Sequence, residues 1–113
     1  MDGFDPFVET IGKYILDRSG NPVECRDLFE WGEWMETGYR KVAHDDLGAL
    51  GEVSTVFLGL DYNFSRKGPP ILYETMVFGG QAAYSGRRYC TRDEAEAGHA
   101  EMVAKLKGIV VLQ

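Results

Sequence analysis

A chain of 113 residues, 44% apolar and 12% aromatic, is long enough to fold as one domain with its own core, which argues against disorder and against a need for structural metal or disulfides. Its net charge of −6 argues against broad affinity for nucleic acid or anionic membranes, both of which need a positive field; it reads first as a charge that keeps the domain soluble, with approach to a basic surface as the alternative. Cys25 and Cys90 lie in no CxxC or His-rich context, so no metal site or cofactor is expected; the thiols read as buried or idle, with a single bridge between them as the alternative.

Residues 1–12 mix Asp, Gly, Pro and aromatics without a period and read as an arm packed through Phe4 and Phe7. The start is acidic and lacks an apolar h-region, and no apolar run is long enough to cross a bilayer, so an intracellular setting is expected. Tyr14 to Asp17 and Pro22 to Cys25 flank a turn rich in Ser, Gly and Asn, which predicts a small hairpin with the proline strand at an edge. Asp27 stands as N-cap, with Glu30 three residues on, for a helix from Leu28 to Thr37 that Gly38 stops. Leu28, Trp31 and Met35 share its apolar face, and Trp34 falls off that stripe as a candidate contact residue.

A strand through Lys41-Val42-Ala43-His44 leads into a glycine-bearing turn. His44 reads as a solvated strand-end histidine beside Asp45 and Asp46. Two apolar runs follow, Val53 to Leu60 and Ile71 to Phe78, each rich in β-branched and aromatic residues and bounded by Gly, Pro or Asp. They predict a central hairpin with both faces partly covered. The loop between them carries Tyr62, Phe64 and Arg66, aromatic and basic residues suited to a protein contact.

Gly79-Gly80 ends the second run, a loop follows, and Arg87 to Cys90 make a short last strand. Thr91 and Glu94 form a Thr-x-x-Glu capping box for a helix from Arg92 to Lys107, with Ala95, His99, Met102 and Leu106 on one face, widened by Gly98 and Val103. The tail Gly108 to Gln113 is apolar enough for an extra strand, or for an edge through which the chain oligomerises. The order β-β-α-β-β-β-β-α with short connections predicts a single α+β domain: one antiparallel sheet with helices packed mainly on one face.

Two constellations have chemical potential. Glu74 falls on the strand face of Leu72, Met76 and Phe78, where a carboxylate needs a cation; Arg88 in the next strand is the first candidate and His99 the second. Gly80 with Arg87 and Arg88 offers amides and guanidinium groups to a phosphate, with Tyr84 or Tyr89 to stack on a base. Neither GxGxxG nor a Walker sequence is present, and no nucleophile or oxyanion signature accompanies Glu74 and His99, so no catalytic residue is assigned.

The run Val53-Ser54-Thr55-Val56-Phe57-Leu58-Gly59-Leu60-Asp61, followed by Pro69 to Gly80 and by Arg88-Tyr89-Cys90-Thr91-Arg92-Asp93-Glu94-Ala95-Glu96-Ala97-Gly98-His99, resembles a group of short uncharacterised proteins of tailed bacteriophages. The resemblance covers most of the chain. It implies a small domain acting in the cytoplasm of an infected bacterial cell and carries over no activity. The leading expectation is a non-enzymatic accessory protein that binds a host or phage protein, with counter-defence as one purpose. The alternatives are sequestration of a nucleotide-like molecule, an acid–base enzyme using Glu74 and His99, and a virion or assembly component.

Overall fold

The computed structural model describes residues 11–65, 67–83 and 85–108. They fall into two compact units, each drawn from two stretches of chain: the described residues of 11–39 and 59–70 make a small one, and those of 40–58 and 71–108 a large one.

In the small unit, β1 (Tyr14–Leu16) and β2 (Pro22–Glu24) pair antiparallel, Ile15 opposite Val23. The Asp17 carboxylate ties the turn by accepting from the amides of Ser19 and Asn21 at 2.9 Å. This hairpin is a two-stranded sheet of its own rather than two strands of a single sheet, because its only further ladder contact is the lone bridge from Lys13 to Leu60. Helix α1 (Leu28–Thr37) begins where Asp27 accepts from the amides of Phe29 and Glu30, occupying two donors that a helix start leaves unpaired. Its stripe meets the segment at Gly59, whose carbonyl accepts from both the Trp31 indole and the Tyr14 amide at 2.9 Å. A Cβ at Gly59 would sit close against Met35 Sδ, and the residue's φ of +77° is one that glycine adopts freely, so glycine at this position admits the helix. Leu28 does not join this contact: it is 45% exposed, and α1 buries no residue.

In the large unit, β3 (Lys41–Asp46), β4 (Glu52–Phe57), β5 (Tyr73–Phe78) and β6 (Gly86–Tyr89) form one antiparallel sheet in sequence order. Helix α2 (Arg92–Leu106) packs on one face, its start closed by the reciprocal Thr91 and Glu94 box. The molecule is α+β, with β3 and β6 as the edges of this sheet. A bulge between Lys41 and Ala43 and the charged Arg87 and Arg88 blunt the two edges against further pairing.

Burial alternates strictly along the central strands. Val53, Thr55 and Phe57 of β4 and Tyr73, Thr75 and Val77 of β5 are covered, and Ala95, Gly98, His99 and Met102 of α2 are buried too. Fully burying a side chain of the size of Val or Phe contributes about 1.5–3 kcal/mol, so this face dominates the unit's stability. The opposite face, with Ser54, Val56, Glu74 and Met76, is half-buried, and Phe78 is exposed. The alternation is invisible in the sequence because the covered face spends two positions on threonine while the other carries Val56, Met76 and Phe78. Of the expected arm at residues 1–12, residues 1–10 lie outside the described residues, as do residues 109–113 of the expected tail at 108–113.

Candidate functional site

The covered face of the sheet holds a chain of polar groups that no local motif announces. Thr55 and Thr75 are cross-strand partners, and their hydroxyls hydrogen-bond to each other. Thr55 Oγ1 also lies 2.7 Å from His99 Nδ1, and His99 Nε2 lies 2.7 Å from Asp45 Oδ2. At the other end, the Tyr89 hydroxyl donates to Thr75 Oγ1 at 3.1 Å. One residue thus comes from each strand, and the imidazole from α2 closes the row.

Burial decides what this row can do. Aspartate, histidine and a hydroxyl in series are the components of a nucleophilic relay. Yet Thr55 and Thr75 are 0% exposed and His99 5%, so no substrate atom reaches the hydroxyl. The row satisfies buried polar groups and fixes register, since a one-residue slip would carry both threonines to the other face.

Tyr89 links this row to a surface groove of about 440 Å³. Arg87, Arg88 and Tyr89 line one side, and Glu94, Gly98 and Glu101 of α2 the other. Gly98 is required here: a Cβ would stand 2.2 Å from the Tyr89 hydroxyl and 2.3 Å from its ring. The groove's charges are already engaged. Arg87 pairs with Glu101 at 3.2 Å and lies over the Tyr89 ring, 5.6 Å from its centroid. Arg88 pairs with Glu74 at 3.0 Å, and the Glu94 carboxylate accepts from the amides of Cys90 and Thr91 at 3.1 Å.

The residues singled out by sequence are therefore dispersed. Glu74 faces Arg88 across the β5–β6 register, with its side chain 22% exposed, on the face away from α2. His99 lies on the α2 face, so the acid–base pairing of Glu74 with His99 does not occur. Gly80 is not part of a phosphate cradle with Arg88. It lies beyond Val77, whose amide bonds to Ser85, while Arg88 stands opposite Glu74, so the two are separated by roughly 10 Å or more at strand spacing. A Cβ at Gly80 would meet the Leu50 carbonyl oxygen at 2.3 Å, which accounts for glycine there. His44 pairs with Glu52 at 3.3 Å rather than with its neighbours in sequence, because Asp45 points to the α2 face.

In the small unit, Tyr62 packs on Phe64 with centroids 5.8 Å apart, and Phe64 is 61% exposed. The Asn63 amide braces their loop by donating to the carbonyls of Lys67 and Pro69. Trp34 is half-buried and folds over Gly38, where a Cβ would meet its ring at 2.4 Å. Arg66 and Tyr84 lie outside the described residues. Neither Cys25 nor Cys90 is in a disulfide. Among the described residues no cluster of His, Cys, Asp and Glu could hold a metal ion, and no helix is long and apolar enough to cross a membrane.

No protein-family model, no curated protein and no solved structure matches the chain.

Sequence reasoning missed Phe29, Asp45, Thr55 and Thr75. Phe29 is 87% exposed, and its signal was its place opposite the Trp31 and Met35 stripe. Asp45 stood beside the more conspicuous His44, and the two threonines counted only as strand formers. Tyr73 was missed as well: its hydroxyl is buried with no hydrogen-bond partner. Burial pushes that phenol above its ordinary value, with Arg92 pulling it down and Glu96 pushing it up.

Proposed function

We propose that this chain is a small non-enzymatic binding module that engages a protein partner through the exposed face of α1. The observation that carries the reading is Phe29, 87% exposed on a helix that buries none of its own residues. An aromatic side chain held in water at that fraction is the kind of group that anchors an interface, because docking it in a pocket desolvates a large apolar area. Helical spacing sets Glu33 and Glu36 on the same side as Phe29, with Glu30 adjoining; all three are exposed and, among the described residues, form no ion pair. The face therefore suits a basic partner with an apolar recess. Burial of Thr55 and His99 supports binding over catalysis. The resemblance to short phage proteins favours an accessory role in an infected bacterial cell, with a host or phage protein as the partner and counter-defence as one purpose.

Capture from bacterial lysate at modest salt, comparing the natural chain with Phe29→Ser and with the double change Glu33→Lys and Glu36→Lys, tests this. The natural chain should retain a partner that both variants lose at unchanged melting temperature. Equal retention by all three, or no specific partner at all, would refute the reading.

The groove beside Tyr89 supports a second reading, sequestration of a nucleotide-like molecule, through its volume and through Arg87 and Arg88, which would exchange Glu101 and Glu74 for the ligand's phosphate. Thermal-shift measurements with a nucleotide panel decide it: the reading requires stabilisation that Arg87→Ala abolishes.

A further inference from the structure

The row of polar groups under α2 has a direction that donor and acceptor chemistry dictates. The Asp45 carboxylate only accepts, so His99 Nε2 must carry the proton that bridges them. If the ring is neutral, Nδ1 is then a bare acceptor and Thr55 donates to it. Having spent its one proton, Thr55 accepts from Thr75, and Thr75 accepts from Tyr89. Every group is satisfied, and all protons point the same way.

A proton on Nδ1 undoes this order completely. An imidazolium donates to Thr55, and one proton is then surplus in the row: either Thr55 accepts twice and leaves its own proton inside the sheet, or Thr55 donates to Thr75 and Thr75 to Tyr89, which moves the surplus proton to the end of the row. In the second case the Tyr89 O–H is left with its proton outside the row, at the wall of the groove beside Gly98. A hydroxyl that turns alone strands its proton among fully buried groups, whereas a concerted turn delivers it to the groove wall, so the row favours turning as a unit.

We infer that the sheet holds a one-way hydrogen-bond chain, Tyr89 to Thr75 to Thr55 to His99 to Asp45, that fixes His99 as the neutral Nε2–H tautomer and reverses as a unit when Nδ1 is protonated, turning the Tyr89 hydroxyl toward the groove. One end is open to solvent through Asp45, whose side chain is 51% exposed; the other ends at the groove. The remaining charged or titratable groups on this face are Tyr73 of β5 and Arg87 of β6, the latter committed to Glu101. From β4, Thr55 bonds the ring, and the strand's carboxylate, Glu52, pairs with His44 on the other face. On α2 itself, Glu96, one turn before His99, pairs with Arg92.

Long-range proton–nitrogen NMR of the histidine rings, followed from neutral to acid pH together with the Tyr89 ring carbons, tests the inference on the full chain. At neutral pH, His99 Nδ1 should show the shift of an unprotonated ring nitrogen and Nε2 that of a protonated one. As Nδ1 gains its proton, the Tyr89 Cζ resonance should move with the same midpoint, and Thr75→Val should abolish that movement while His99 still titrates. A proton on Nδ1 at neutral pH, a Tyr89 resonance that ignores His99, coupling that survives Thr75→Val, or unfolding before His99 is protonated would each overturn it. Should Thr75→Val fail to fold, the natural chain's tautomer and shared midpoint decide alone.

Discussion

The two units of this molecule stand on different physics. The large unit is held by side chains: Val53, Phe57, Leu72, Tyr73, Val77, Tyr89, Ala95 and Met102 are all buried there, with a saturated row of polar groups among them. Among the described residues, the side chains that the small unit buries are Cys25 and Lys13, and backbone and capping bonds tie it together, such as the shared acceptor at Gly59 and the wiring of Asn63. Exposed large apolar groups are distributed in the opposite sense. Among the described residues, Val23, Leu28, Phe29, Tyr39 and Phe64 belong to the small unit, and Leu50 and Phe78 to the large one. The described residues thus place buried apolar area mainly in one unit and water-exposed apolar area mainly in the other, which is the contrast that the proposed contact surface on α1 rests on.

The contrast is most sharply broken at Gly98. Gly98→Ala drives a methyl into the Tyr89 ring and hydroxyl, and because the ring is pinned between sheet and helix, the large unit should lose about 3 kcal/mol, read from urea unfolding. A substitution of the same size at Gly32 of α1, where nothing lies within 4 Å of the new Cβ, should stabilise by about 0.5–1 kcal/mol through helix propensity. If the two changes cost the same, the units are not built differently.

Next in size is Tyr73→Phe. The Tyr73 hydroxyl is buried without a partner, and an unsatisfied buried group costs about 1–3 kcal/mol, so removing it should raise stability by about 1 kcal/mol at neutral pH. The gain should widen in alkali. A phenol whose folded pKa lies above its ordinary 10.0 supports the fold fully below pH 10 and loses that support as pH rises through the folded value. Unfolding curves of both forms at neutral pH and above pH 10 check the sign. A change of similar size is expected in the small unit: Asp27→Ala removes the acceptor for two amides and should cost about 1 kcal/mol, read as lost helical circular dichroism.

Some of the site was legible at the level of residues and none of it at the level of assembly. Glu74 needed a cation and found Arg88, because strands that pair antiparallel put those positions opposite each other. His99 was placed correctly on the inner face of its helix, but the partner offered for it, Glu74, has the wrong strand parity. Gly80 was read as a cradle for an anion, whereas it answers a close approach by the Leu50 carbonyl, from a turn thirty residues earlier.

The sequence by itself determined what neighbours in the chain can settle: where helices start and stop at Asp27, Gly38 and Thr91, which runs are strands, and that the class is α+β. Capping, turns and strand preference act over a few residues, so the residues concerned stand side by side on the page. Tertiary structure alone decided which sheet face is covered, that Thr55, Thr75, Tyr89, His99 and Asp45 form one row, and that Phe29 is left in water. Those outcomes depend on packing between segments up to 54 residues apart, and a threonine that joins a buried row is spelled the same as one that only fills a strand.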